Sequence, residues 1–151
     1  MRTSKIFVTV DAVILRKSDD FELLLIKRKN EPFKDCWALP GGFVDENEDL
    51  KTAAIRELEE ETQIKVTDLE QIGAFGKPFR DPRGHMISVA YFGIVPENTI
   101  AVAADDAKET GWFSVKDLPK LAFDHLDIVT LTLQKFQLLI TRPKNGSDPK
   151  I

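Results

Sequence analysis

The chain has 151 residues, of which 42% are hydrophobic and 30% charged, proportions of one soluble globular domain large enough for a proper core. A net charge of −4 excludes a general basic surface for nucleic acid or anionic lipid. A single cysteine, Cys36, excludes an intrachain disulfide framework and a cysteine-rich zinc site, and it fits a reducing, cytoplasmic compartment.

Met1 is followed by Arg2 and Lys5, but Thr9 and Asp11 interrupt the apolar run from Phe7 to Leu15. The segment Ile6 to Leu15 therefore reads as a first strand and not as a signal peptide. No apolar run reaches membrane-spanning length, so no membrane partner is expected. Phe21 to Lys27 is a second strand, after turn residues Ser18-Asp19-Asp20. A polar loop from Asn30 to Asp35 leads through Trp37-Ala38-Leu39 into Leu39-Pro40-Gly41-Gly42, a loop able to bring backbone close to a ligand. Asp45 to Asn47 offers capping chemistry for a helix from Leu50 to Thr62.

Leu69 to Gly76 and Met86 to Val95 read as a strand pair flanking Asp81-Pro82-Arg83-Gly84, which suits a type I turn. Gly111 to Phe113 reads as a short strand and Ser114 to Leu118 as a helical turn. The spacing of Leu126, Val129, Leu133, Phe136 and Ile140 predicts a last helix, capped by Asp124 and reaching about Thr141; such a stripe is core packing before it is anything else. The order strands, helix, strands, helix gives an α/β (mixed α+β) class. It is a single domain over residues 1–142 with a flexible tail over 143–151.

Within the first helix, Arg56-Glu57-Leu58-Glu59-Glu60-Glu61 places Glu57, Glu60 and Glu61 at i, i+3 and i+4, on one face. Carboxylates that close repel one another, and a hard divalent cation among them would resolve the conflict. The competing reading is a solvated acidic helix face, which is commoner. Against it stand the apolar flank of Ala54, Ile55 and Leu58, the preceding glycine loop, and Glu48, which can fold back toward the acidic face.

The spacing Gly-x5-Glu-x7-Arg-Glu-Leu-x-Glu-Glu-x-x-Ile, from Gly42 to Ile64, resembles the signature of the Nudix hydrolase family. The penultimate residue, usually glycine there, is Gln63, and the left-handed conformation that glycine suits would cost it about 1 kcal/mol. The resemblance implies a Nudix fold, a mixed β-sheet sandwiched between α-helices. It also implies Mg²⁺-dependent hydrolysis of a nucleoside diphosphate linked to another group, with Mn²⁺ as the other candidate ion. Metal ligands would be Glu57 and Glu61, with Glu60 a third and Gly41 or Gly42 offering a backbone carbonyl. Arg56 would orient a glutamate through a bidentate pair. The general base lies within the box, as Glu57 or Glu60, or on the later loop as Asp105, Asp106 or Glu109.

Substrate choice lies outside the box. Arg80 and Arg83 flank a turn that needs neither of them and can grip phosphate or ribose oxygens, with Gly84 beside them. Arg28, at the end of the second strand, reads equally as a phosphate ligand or a solvated arginine; Phe43 completes the substrate-binding candidates. Phe7 and Phe79 are the alternative candidates to stack on adenine, Trp37 and Trp112 read as packing residues, and His125 reads as structural. The Arg80–Phe92 stretch, Phe123-Asp124-His125 and Thr9 to Val13 together resemble the ADP-ribose-directed branch of the family. That branch implies a small-molecule nucleotide substrate, ADP-ribose cleaved to AMP and ribose 5-phosphate, and a homodimer in which a partner loop can complete the site. The alternatives are a house-cleaning hydrolase of nucleotide triphosphates and a non-catalytic ADP-ribose-sensing module. A sensor of that branch carries a DNA-binding segment, for which the residues after Arg142 are too few.

Overall fold

The computed structural model describes residues 3–138. Seven strands and two helices follow in the order β1 (Ile6–Lys17), β2 (Phe21–Arg28), β3 (Trp37–Ala38), β4 (Gly41–Phe43), α1 (Leu50–Thr62), β5 (Glu70–Phe75), β6 (His85–Val95), β7 (Ala107–Ser114) and α2 (His125–Lys135). One mixed sheet runs β3-β2-β1-β6-β5, with β4 paired to β1 and β7 to β2. β1 and β6 are parallel over their whole length, Ile6 opposite His85 through Arg16 opposite Val95, and the other pairs are antiparallel.

β1 and β2 pair only near their turn, at Leu15–Lys17 against Phe21–Leu23, and then diverge. β4 takes the free edge of β1 at Thr9–Asp11, and β3 takes that of β2 at Ile26–Lys27. The glycine loop is thereby inserted between the two long strands, at the place where the site forms.

The apolar runs of β1, β2 and β6 are continuous because both sheet faces are covered. Their period-two alternation sorts them cleanly. Val10, Ala12, Ile14, Leu24, Val89 and Tyr91 pack under α1 through Ala53, Ala54 and Leu58. Val13, Leu15, Leu23, Leu25, Ala90 and Phe92 pack under α2 through Ile128, Val129 and Leu133. Helices on both faces of a mixed sheet are the arrangement the resemblance implies.

α1 has the bounds expected from sequence, with a different cap. Asp49, not a residue of Asp45–Asn47, accepts from the N–H groups of Lys51 and Thr52. Glu48 and Asp45 instead close their own turn, the Asp45 N–H donating to Glu48 Oε1 at 2.9 Å. Gln63 takes the left-handed conformation (φ 62°) and donates to the Glu59 carbonyl, so glutamine closes the helix where glycine is usual.

α2 is shorter than expected. It ends at Lys135, where Gln137 turns left-handed (φ 54°), its N–H donating to the Gln134 carbonyl and that of Leu138 to the Leu133 carbonyl. This is a Schellman closure with Leu138 folded onto the same apolar cluster as Leu133. Asp124 occupies the cap position but makes no side-chain cap bond, because its carboxylate is engaged by Arg80. Residues 139–151, including Ile140 and the expected tail, lie outside the described residues. β7 begins at Ala107, so Lys108 and Glu109 belong to a strand and not to the acidic loop; Ser114 to Leu118 is a turn without a helix. No helix among the described residues is long and apolar enough to cross a membrane.

Candidate active site

The acidic face of α1 is organised by one guanidinium. Arg56 donates to Glu48 through Nε (2.7 Å) and Nη2 (3.0 Å), to Glu57 Oε2 (3.1 Å) and Glu60 Oε1 (3.0 Å) through Nη1, and to the Phe43 carbonyl through Nη2 (3.1 Å). The bidentate partner is Glu48, whose carboxyl is held below its usual range by that contact. Glu60 is drawn to the exposed side of Arg56, off the pocket wall.

Glu57 and Glu61 turn inward toward the glycine loop. The Gly41 N–H donates to Glu61 Oε1 at 3.0 Å. A Cβ on Gly42 would overlap the Glu57 carboxylate, and one on Gly41 would overlap the Val10 carbonyl, so both positions require glycine for close approach. Burial pushes Glu57 up to about 7, against the pull of Arg56. Burial pushes Glu61 up to about 8, against the Gly41 N–H and with the charges of Glu57, Asp106 and Asp11 adding to it.

Two desolvated carboxylates short of positive charge are a donor set suited to a hard divalent cation. Among the described residues no three carboxylate, histidine or cysteine groups close on one point. An ion here would therefore be held by Glu57 and Glu61, with its remaining positions open to water and substrate oxygens, the manner in which Mg²⁺ is usually bound.

The loop between β6 and β7 comes to this point because it satisfies the end of α1: Val102 and Ala104 donate to the Thr62 and Glu61 carbonyls at 2.9 and 3.1 Å. Asp105 and Asp106 follow directly. Asp106 lines the pocket and accepts from Asn30 Nδ2 at 3.4 Å, while Asp105 receives Lys29 Nζ on its carbonyl at 2.7 Å. Glu109 pairs with Lys27 at 3.3 Å and does not line the pocket.

The same cavity is also lined by arginines. Arg28, Arg80 and Arg83 share with Glu57 and Glu61 a cavity of about 390 Å³. Arg28 Nε donates to the Pro32 carbonyl at 2.7 Å, and burial followed by the nearby Arg83 charge lowers its pKa. Arg83 is gripped by Asp81, Nε to Oδ1 at 3.0 Å and Nη2 to Oδ2 at 2.8 Å. Arg80 is gripped by Asp124, Nε to Oδ2 at 2.9 Å and Nη2 to Oδ1 at 2.6 Å, with its side chain only 4% exposed. The turn arginines thus have structural partners that spacing alone did not reveal.

Asp11 and His125 also line the cavity: Ser88 donates to Asp11, and Asp11 Oδ1 faces His125 Nε2 at 3.5 Å. His125 Nδ1 accepts from the Leu39 N–H at 3.0 Å, so the proton sits on Nε2. Burial pushes His125 down and keeps it neutral. The histidine is a strut under the glycine loop, the structural role expected of it.

Of the residues singled out in the sequence, Gly41, Gly42, Phe43, Glu57, Glu61, Arg28, Arg80, Arg83, Asp106 and His125 come together on the pocket wall. Gly84 lies instead in a separate depression with Pro78, Phe79 and Pro82. Phe79 is 94% exposed and Phe7 packs edge-on against Phe43, so neither ring lines this cavity. Trp37 packs on Phe113, and Trp112 lies under Arg16, both as packing residues. Asp81, Lys29 and Asn30 were not singled out, and no local spacing marks them. Asp11, a lone acid in an apolar strand, belongs to the Thr9–Val13 stretch that carries the branch resemblance, but its spacing does not disclose its pairing with Ser88 and His125.

A family model described as NUDIX domain matches residues 5–132. The chain is 47% identical over 122 residues to the ADP-ribose pyrophosphatase of Methanocaldococcus jannaschii, covering 81% of this chain and 70% of that protein. It is 37% identical over 127 residues to the ADPR responsive transcriptional repressor NtrR of Acinetobacter baylyi, covering 81% of this chain but only 51% of that relative. Among solved structures, the NUDIX domain of Shewanella oneidensis NrtR complexed with ADP ribose superposes with a TM-score of 0.81 at 31% identity, covering 89% of this chain and 90% of that one. With a matching model across most of its length and the acidic box folded against the glycine loop, the chain belongs to the Nudix family.

Proposed function

We propose that this Nudix chain is a hydrolase that cleaves the diphosphate of ADP-ribose to AMP and ribose 5-phosphate with a bound divalent cation, Mg²⁺ or Mn²⁺. The observation that carries the reading is the presence in one cavity of the carboxylates Glu57 and Glu61 together with the guanidinium groups of Arg28, Arg80 and Arg83. A diphosphate needs both: guanidinium groups to bind its oxygens and carboxylates to carry the metal. The similarity to an ADP-ribose pyrophosphatase supports the substrate.

The cation supplies charge neutralisation at phosphorus and a more acidic bound water. Glu57 and Glu61 hold it, and Gly41, through its N–H, fixes the rotamer of Glu61. Asp106 stands on the wall as the acceptor for the water proton, ahead of Asp105, Glu60 and Glu109, whose side chains are engaged elsewhere or lie off the wall. Arg56 keeps Glu57 and Glu48 in register and does not touch substrate. The protein acts on a small nucleotide in the cytoplasm, as a homodimer whose partner can add to the open mouth at Phe43.

Purified protein offered ADP-ribose, ADP-glucose, NADH and nucleotide triphosphates, with and without Mg²⁺, tests the reading through its products. AMP and ribose 5-phosphate from ADP-ribose support it; pyrophosphate from triphosphates alone would replace it with a house-cleaning hydrolase. A second reading, an ADP-ribose sensor, is favoured by the likeness to the ADP ribose complex. Binding of ADP-ribose without turnover in Mg²⁺ would select it.

A further inference from the structure

Phe123 sits where chain geometry alone would not put a large aromatic residue. It takes a left-handed backbone conformation (φ 52°), which is unfavourable for an L side chain. Its ring nevertheless stands among four groups of the site. The Arg28 guanidinium lies 5.0 Å from the ring centroid and that of Arg83 lies 5.6 Å away. Phe33 approaches at 4.6 Å and His125 at 5.2 Å. Two like charges approach one ring, whose quadrupole attracts both and offsets their mutual repulsion, and Arg83 also lies 5.2 Å from the Phe43 ring centroid.

Each arginine is also tethered at its far side, Arg28 Nε by the Pro32 carbonyl and Arg83 Nε and Nη2 by Asp81. Tethered in this way and drawn to the same ring, the two guanidinium groups have little freedom to change their separation. Among the hydrogen bonds of the described residues, both Nη atoms of Arg28 and Nη1 of Arg83 have no protein acceptor. Those donors border the cavity shared with Glu57 and Glu61.

We propose that Phe123 is a positioning residue that sets the spacing of Arg28 and Arg83, so that the pair clamps the two phosphate groups of the substrate diphosphate. The proposal rests on the ADP-ribose reading for its substrate, but it concerns the diphosphate and not the base or sugar. Phe123 touches no reacting atom; it acts through the arginines, and its strained backbone is the cost of placing the ring beside them.

Steady-state kinetics with ADP-ribose and calorimetric titration with ADP and with inorganic pyrophosphate, on wild type and Phe123 variants, separate the possibilities. F123A is expected to raise KM and the two dissociation constants by about tenfold or more, with kcat changed by less than about threefold. F123Y keeps the ring and is expected to stay within about twofold of wild type. F123G removes the ring and relaxes the left-handed backbone, so it should show the same binding loss as F123A in a protein that melts no lower than F123A. Pyrophosphate binding unchanged in both F123A and F123G would overturn the proposal, as would a loss confined to kcat. Failure of the parent reading is distinct: wild type that binds ADP without hydrolysing ADP-ribose removes the proposed reaction and leaves the arginine clamp to be decided by the titrations. Wild type that binds neither ADP nor pyrophosphate overturns both.

Discussion

The N–H of Gly41 donates to Glu61 Oε1 at 3.0 Å, joining a strand inserted beside β1 to the last turn of α1, 20 residues away in the chain. That single bond holds a buried carboxylate in place at an energetic disadvantage, because burial pushes Glu61 up to about 8 while the N–H opposes the shift. The fold thus keeps a proton-holding carboxyl where a cation, by displacing that proton, would meet a diphosphate.

The first consequence concerns pH in metal-free protein. Glu57 and Glu61, pushed up to about 7 and about 8, bind protons more tightly folded than unfolded. Their contribution is fully favourable below the unfolded value and is lost as pH rises through the folded one. Burial lowers His125, which gives the opposite slope in acid, so the informative window lies above its unfolded value of about 6.5. In EDTA the melting temperature should fall between about pH 6.5 and about pH 8.5. Mg²⁺ should reverse that fall, with its stabilisation growing as pH rises. Melting curves across the window with and without Mg²⁺ check this; a stability that rises with pH in EDTA would contradict it.

Replacing Gly42 by alanine places a methyl group on the Glu57 carboxylate. The side chain can move, so the fold should lose only about 1–2 kcal/mol. Activity should drop by about a hundredfold, because a displacement of an ångström at a positioned group is that costly. Near-normal turnover by G42A, measured beside its denaturation curve, would show that Glu57 does not need its observed position.

Arg56 engages Glu48, Glu57 and Glu60 at once, and also the Phe43 carbonyl. R56K cannot reproduce that fork, so it should lose nearly as much kcat/KM as R56A, about tenfold or more. Full rescue by lysine would mean that only the charge matters.

Arg80 pairs with Asp124 across 44 residues and is almost wholly buried, so it ties the turn before β6 to the start of α2. R80A leaves the Asp124 carboxylate without its partner and should destabilise the protein by about 3 kcal/mol. The double variant R80A/D124A should be less impaired in stability than the sum of the two single changes. Additive losses in a double-mutant cycle would show that the pair is not coupled.

These residues also show what a sequence discloses. α1 was legible to its last residue because its signals are local: the apolar flank of Ala54 and Leu58, the acidic repeat, and the left-handed closure at Gln63, whose cost the fold accepts. The strands β1, β2 and β6 were legible through their apolar runs, rich in Val and Ile in β1 and in Leu in β2. The partners of Arg80 and Arg83 were not, since Asp124 looks like an ordinary helix cap and Asp81 like an ordinary turn residue until the chain is folded. β7 was read short because Lys108, Glu109 and Thr110 lack an apolar pattern, and only pairing with β2 makes them a strand. The early end of α2 follows from the Gln137 backbone, which periodicity does not report.

The most direct test of the central claim is the rate of AMP formation from ADP-ribose at saturating Mg²⁺ by wild type and by E61Q. Glutamine keeps the volume and an acceptor for the Gly41 N–H while removing the charge, so E61Q should fold and melt at least as high as metal-free wild type. The account predicts AMP and ribose 5-phosphate from wild type and a loss in kcat of about 10²–10⁴-fold in E61Q. Equal rates from the two proteins would contradict it.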